Sequence, residues 1–139
     1  MSIQYLLDTN IISEPLRPAP SPKLLDRLKR HQAELAIASV VWHELWFGCL
    51  RLPAGAKLTA IEKYLNDVIA ASLPILPYDE AAAAWHAAER GRLTRLGKTP
   101  PFADGQIMAI AKTNDLTLVT RNLADFRAFD GVKIEDWSR

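Results

Sequence analysis

Residues 102–126 have the sequence FADGQIMAIAKTNDLTLVTRNLADF, and this stretch decides the fold. Apolar residues at helical spacing predict a helix over residues 103–113. The short apolar run over residues 116–119 predicts a strand, and the polar segment after it predicts a turn. A helix followed directly by a short buried strand is typical of α/β proteins.

The same alternation continues on both sides of this stretch. Ser39 and Asp79 are the predicted N-caps of two further helices. Because strands and helices alternate along the whole chain, we expect one α/β domain over residues 1–139, with a short, mainly parallel sheet flanked by helices. Strands are predicted over residues 3–7, 35–38, 73–76 and 132–134, and helices over residues 22–30, 40–50, 56–71 and 79–96.

The composition is that of an ordinary globular protein. Of the 139 residues, 49% are hydrophobic and 24% are charged, which excludes a disordered chain. The apolar runs are too short to span a membrane, and the N-terminal residues lack the basic segment of a signal peptide. A single cysteine, Cys49, excludes an internal disulfide and a cysteine zinc cluster. We therefore expect a protein of the reducing cytoplasm without membrane contact.

The formal net charge is only +1, from 17 basic and 16 acidic residues. A protein that binds nucleic acid by itself is usually strongly basic. If this protein acts on nucleic acid, the positive charge must be local, or a metal ion or a partner must supply it.

Two acidic residues occur where active sites of parallel sheets are found, at strand ends and helix starts. Asp8 directly follows the first predicted strand, and Asp104 falls in the first turn of the helix that begins after Pro100 and Pro101. Each has an ordinary alternative role. Asp8 could cap a helix, and Asp104 could interact with the helix dipole.

Glu44 lies in the segment VVWHELWFGCL, residues 40–50. Apolar residues surround it on all sides of the predicted helix, which indicates a buried helix. A buried carboxylate is costly unless it is paired or binds a metal ion. An ion pair with a distant residue is the alternative.

The turn after the predicted strand 116–119 contains two further candidates, Asn122 and Asp125. Either could point toward the site, or both could belong to a turn and a helix cap. Together with the other acids they would form a cluster of oxygen ligands, which favours Mg²⁺ or Mn²⁺ over zinc. Such ions activate water and stabilise the leaving oxygen of a phosphodiester.

Four segments in order resemble the PIN-domain family, and more closely the VapC-type ribonuclease toxins of the FitB-like kind. These segments are LLDTNIISEPLRPAP (residues 6–20), ASVVWHELWFG (residues 38–48), residues 102–126 and VKIEDW (residues 132–137). The resemblance implies a PIN fold, RNA cleavage that depends on Mg²⁺ or Mn²⁺, and a homodimer. It also implies inhibition by a cognate VapB-type antitoxin, a higher assembly with that antitoxin, and contact with DNA only through it.

The resemblance also assigns roles to individual residues. It implies that Asp8, Glu44 and Asp104 are the first three catalytic, metal-binding acids. For the fourth, some relatives have an acid at the position of Asn122 and others use the acid at Asp125, which we take as the fourth ligand. Supporting residues are Thr120, which matches a small hydroxyl residue that orders the site, together with Asn10 and Asn122.

Basic residues near the predicted site suggest contacts with RNA. The net charge is +3 over residues 89–98, just before Asp104, which could guide an RNA backbone or simply belong to a solvated helix end. Arg121 could hold a phosphate or pair with an acid. The candidate RNA-binding residues are Arg90, Arg92, Arg95 and Arg121.

Two other functions remain alternatives. A haloacid-dehalogenase-like phosphatase also has an Asp after its first strand, but it requires a second Asp where this chain has Asn10. A non-catalytic PIN interaction module would keep the fold without needing the acids. Cleavage of RNA or release of phosphate from a small phosphoester distinguishes these functions.

Overall fold

The computed structural model describes residues 2–139, and within them five short parallel strands form one sheet in the order β3-β2-β1-β4-β5. At the centre, Leu6 of β1 pairs with Ala36 of β2 and with Leu118 of β4. This confirms the predicted α/β class with a parallel sheet. The strands are β1 (Tyr5–Leu7), β2 (Leu35–Ala38), β3 (Ile75–Leu76), β4 (Thr117–Val119) and β5 (Ile134–Glu135).

Helices connect the strands and flank the sheet. Their bounds are α1 (Thr9–Ile12), α2 (Pro22–Arg30), α3 (Ser39–Leu50), α4 (Ala56–Tyr64), α5 (Glu80–Arg95), α6 (Phe102–Thr113) and α7 (Leu123–Phe126). Short 3₁₀ turns cover Glu14–Leu16 and Gln32–Glu34. All of β2 is buried, as are Ile107–Ala111 of α6, because a parallel sheet between helices is shielded from water on both faces.

Three predictions about local structure were wrong. Ser39 is the first residue of α3 rather than its N-cap, a position that Ala38 occupies without a side-chain hydrogen bond. The helix predicted over residues 56–71 changes to a π-helix at Leu65–Ala70, which keeps Leu65 and Ile69 buried. The outer strands are shorter than predicted, since pairing with a neighbouring strand, not apolar character, sets their ends.

The sequence predicted that helix α3 is buried on all sides, and this prediction was wrong. Val41, Leu45 and Cys49 lie in the core, whereas Phe47 is 58% and Leu50 is 62% exposed. The apolar residues of α3 therefore lie on two faces of the helix. One face packs in the core, and the other is exposed. The N-cap predicted at Asp79 is confirmed, because its carboxylate accepts a hydrogen bond from the amide of Ala82 at 2.9 Å.

The tryptophans pack against the core, which was the favoured interpretation of their spacing. Trp42, Trp46 and Trp85 are partly buried against core residues, and the rings of Trp42 and Trp46 meet edge to face at 5.8 Å. Within residues 2–139, every helix is too short or too polar to cross a membrane.

Candidate active site

Asp8 lies at the carboxyl end of the central strand β1 and is 7% exposed. One carboxylate oxygen accepts a hydrogen bond from the amide of Thr9 at 2.8 Å, so Asp8 does cap the short helix α1. The other oxygen accepts one from the hydroxyl of Thr120, also at 2.8 Å. The two bonds fix the orientation of the carboxylate at the edge of the sheet.

Glu44 approaches the same edge from α3. Its Oε2 accepts a hydrogen bond from the hydroxyl of Thr9 at 2.7 Å. Within residues 2–139, no ion pair of Glu44 with a basic residue is formed, so the alternative of a distant salt bridge is not realised. Thr9 thus connects the second acid to the loop that carries the first.

Asp104 lies in the first turn of α6, and the other acids influence its titration. Partial burial, followed by the charges of Asp8, Asp125 and Glu44, raises the pKa of Asp104 to about 6. Burial also raises the pKa of Asp8, with hydrogen bonds from Thr120 and Thr9 opposing the rise and the charges of Glu44 and Asp125 adding to it. Four carboxylates from four parts of the chain are therefore close enough to repel one another.

The sequence offered two candidates for the fourth site residue, Asn122 and Asp125. Asp125 lies in the first turn of α7 and raises the pKa of Asp8 and of Asp104. Asn122 is exposed, and it is its backbone amide that donates to Thr120 Oγ1, at 3.0 Å. Both side chains are exposed, so it is the effect of the Asp125 charge on the pKa of Asp8 and of Asp104 that favours Asp125 as the fourth site residue.

Two supporting residues hold the loops around these acids. Thr120, fully buried at the end of β4, donates to Asp8 and accepts from the amide of Asn122. Asn10 accepts a hydrogen bond from the backbone amide of Arg121 at 3.2 Å. Asn10 therefore ties α1 to the turn after β4.

The donor chemistry of the site fits a hard divalent cation. Carboxylate oxygens are the ligands that Mg²⁺ and Mn²⁺ prefer, and a cation would relieve the repulsion that raises the pKa of Asp104. In the described conformation of residues 2–139, no three His, Cys, Asp or Glu side chains are grouped closely enough to hold a metal ion. The side chains would have to draw together to bind one.

The basic residues separate into two groups. Arg121 pairs with the buried Glu14 at 3.3 Å, so the alternative of pairing with an acid is the one observed. Arg92 is bound to both carboxylate oxygens of Glu89 at 2.6 and 2.9 Å. Arg90 and Arg95 are exposed on α5.

Two features were missed by the sequence analysis. Glu14 is 1% exposed, although it lies beside Pro15 in a segment that looked like a polar loop. His86 is also buried and packs directly over Gly105, the residue after Asp104. A glycine inside a helix is a signal of close packing, whereas nothing near Glu14 indicated its burial.

A parallel sheet with acidic side chains at its carboxyl edge belongs to the class of α/β domains whose site lies at the ends of the strands. A family model described as PIN domain matches residues 5–132, so the chain belongs to the PIN-domain family. It is 39% identical over 140 residues to Toxin FitB of Neisseria gonorrhoeae (strain ATCC 700825 / FA 1090), covering 95% of this chain and 97% of that protein. It is 29% identical to the tRNA(fMet)-specific endonuclease VapC of Shigella flexneri, covering 98% and 99%.

Solved structures give the same family. A FitAB complex bound to a DNA fragment contains a chain that superimposes with a TM-score of 0.90 at 33% identity, covering 98% of this chain and 96% of that chain. A DNA-bound VapBC complex from Salmonella typhimurium gives a TM-score of 0.83 at 27% identity, covering 97% and 98%. The predicted resemblance to VapC-type and FitB-like toxins is thus confirmed.

Proposed function

We propose that this protein is an endoribonuclease that depends on Mg²⁺ or Mn²⁺ and acts as the toxin of a toxin–antitoxin pair. The observation that carries the proposal is the convergence of Asp8, Glu44, Asp104 and Asp125 at the carboxyl edge of the sheet, where the charges of the other three raise the pKa of Asp104. Relatives named as VapC ribonucleases support RNA as the substrate.

In this proposal the four carboxylates would hold a divalent metal ion, which would supply water activation and charge stabilisation at the phosphodiester. The surrounding residues position these acids. Thr120 holds one oxygen of Asp8 and Thr9 holds one oxygen of Glu44, so a threonine hydroxyl orients each of these carboxylates. Asp104, whose pKa is near 6, is ionised and ready to bind a cation at pH 7 and above.

Cleavage of RNA by the purified protein tests the proposal. We expect Mg²⁺ or Mn²⁺ to support cleavage, EDTA to abolish it, and Glu44→Gln to lower the rate by at least about 100-fold while the fold survives. Glu80→Gln, an exposed acid at the start of α5, is the matched control and should retain the wild-type rate.

The same assay decides between this function and its alternatives. Release of phosphate from a small phosphoester, without RNA cleavage, would indicate a phosphatase. Absence of both activities with each metal would indicate a non-catalytic interaction module and would refute the proposal.

We further propose that a VapB-type antitoxin covers this protein, that the protein forms a homodimer, and that DNA is contacted only through the antitoxin. Solved relatives include FitAB bound to a DNA fragment, a DNA-bound VapBC complex, and a member of the VapBC family of toxin–antitoxin systems. An apolar groove of about 340 Å³ supports the proposal, since Leu28 of α2 lines one side of it and Tyr64 and Val68, one helical turn apart, line the other. Co-expression with the neighbouring reading frame should suppress RNA cleavage, and Val68→Asp should release it.

A further inference from the structure

A second cleft lies on the other side of α6 from the acids. It has a volume of about 310 Å³ and is formed by the end of α5, the loop that follows, and the start of α6. Its lining includes Arg90 of α5, Lys98 of the loop and Phe102 of α6. The residues assigned to the catalytic site do not line it.

Phe102 forms an aromatic platform in this cleft. It is 51% exposed, so half of its surface is open to a ligand. The ring of His86 supports it from below, with ring centroids 4.7 Å apart, and Tyr78 holds His86 through a hydrogen bond of 2.8 Å. The guanidinium carbon of Arg90 lies 5.1 Å from the centroid of the Phe102 ring. The ring is therefore held in place while much of it stays open to solvent.

The cleft also contains two basic side chains that form no ion pair in the part of the chain that the structure describes. Within residues 2–139, Arg90 and Lys98 take part in no ion pair, whereas Arg92 is bound to Glu89. None of the nine described residues that line the cleft is acidic. An exposed aromatic ring beside two cations is the combination that binds single-stranded nucleic acid, through stacking and phosphate contacts.

We propose that this cleft binds one nucleotide of single-stranded RNA, with its base stacked on Phe102 and its phosphate held by Arg90 and Lys98. The inference rests on the proposed ribonuclease function and adds a binding subsite to it. Phe102 and Asp104 lie two residues apart in one helical turn, so their side chains point to opposite sides of α6. The nucleotide bound in the cleft is therefore not the one that is cleaved.

A binding experiment with an unstructured, fluorescently labelled RNA measures the affinity of the cleft for RNA. EDTA is present so that the RNA is not cleaved. Phe102→Leu should weaken binding about tenfold, because it removes the stacking surface, while Phe102→Tyr should bind as the wild type does. Arg90→Ala and Lys98→Ala should each reduce the slope of log affinity against log salt concentration by about 0.7. Lys57→Ala is the control, since Lys57 is an exposed cation on α4 outside the cleft and has no assigned role in RNA binding.

Cleavage kinetics with Mg²⁺ give the second readout. Phe102→Leu and Arg90→Ala should raise KM about tenfold with kcat within twofold of wild type, because the subsite binds a nucleotide that is not cleaved. If the wild type cleaves RNA while both variants match Lys57→Ala in KM and in salt dependence, the inference is overturned.

The remaining outcomes separate this inference from the function on which it rests. If the wild type cleaves no RNA with either metal, the proposed function fails, and the predicted binding losses would still support the cleft as a nucleotide site. If RNA binding is unchanged and Phe102→Leu instead alters the sedimentation coefficient, the cleft is a contact between copies of this chain, and the nucleotide proposal is overturned.

Discussion

The hydroxyl of Thr120 donates a hydrogen bond of 2.8 Å to the carboxylate of Asp8, across a sequence separation of 112 residues. The bond forms because β1 and β4 are adjacent and parallel, so that both residues lie at the same edge of the sheet. Thr120 is fully buried, and its oxygen also accepts from the amide of Asn122. One hydroxyl thus orients the first acid and fixes the turn that carries the fourth.

Replacing Thr120 by valine removes this hydroxyl while keeping the shape of the side chain. We expect affinity for Mn²⁺ to fall about 10- to 100-fold, as is usual when a group that orients a metal ligand is lost. Thr120→Ser should restore it, and Thr113→Val, on the exposed end of α6, should leave it unchanged. Equal metal affinity in Thr120→Val and wild type would show that Asp8 needs no such support.

The raised pKa of Asp104 predicts how the metal-free protein responds to pH. The folded protein binds more protons at Asp104 than the unfolded chain between about pH 4 and pH 6, so this group lowers stability as pH rises through that window. Asp104→Asn removes the effect. Its melting temperature in EDTA should therefore match wild type near pH 4 and exceed it above pH 6.

The exposed Asp67→Asn is the control for this comparison and should show no such change with pH. A difference in melting temperature between Asp104→Asn and wild type that is the same at pH 4 and pH 7 would contradict the assigned cause.

Asp125 and Asn122 are predicted to differ in their effect on metal binding. Asp125→Ala should weaken Mn²⁺ binding more than Asn122→Ala, because a carboxylate binds the ion more strongly than an amide and because Asp125 is the residue that acts on Asp8 and Asp104. Isothermal titration with Mn²⁺ measures both. The reverse order would make Asn122 the fourth site residue.

Particular residues show how far the sequence alone could lead. Asp8 and Asp104 were identifiable because a strand end and a helix start are local patterns. The hydrogen bond between Asp8 and Thr120 was not identifiable from patterning, since it depends on β1 lying next to β4 rather than beside another strand. The exposure of Phe47 was missed for a related reason. An apolar residue in a predicted helix can face the protein's own core or its surface, and the sequence does not distinguish the two.

The buried pair of Glu14 and Arg121 is another contact between distant segments, and it predicts a loss of stability. Glu14 accepts a hydrogen bond from the amide of Ser21 at 2.7 Å and pairs with Arg121 at 3.3 Å. Glu14→Gln should destabilise the protein by roughly 2 kcal/mol, below the value for fully buried pairs because Arg121 is partly exposed. Asp26→Asn breaks the exposed pair with Arg30 and should cost less than about 1 kcal/mol. Urea denaturation compares the two, and equal losses would contradict the ranking.

Gly105 provides the sharpest test of packing next to the site. A Cβ atom there would lie 2.1 Å from Nε2 of His86, whose ring is buried and held by Tyr78, so Gly105→Ala forces α6 to shift beside Asp104. We expect a loss of roughly 1–3 kcal/mol together with reduced Mn²⁺ affinity. Gly91→Ala is the matched control, because its Cβ meets only an Arg95 side-chain atom at 3.5 Å, and alanine should stabilise this helix by about 0.5–1 kcal/mol.

Adding His86→Ala to Gly105→Ala opens space for the new methyl group, so the double variant should regain metal affinity. If it does not, the contact with His86 is not what fixes the position of Asp104.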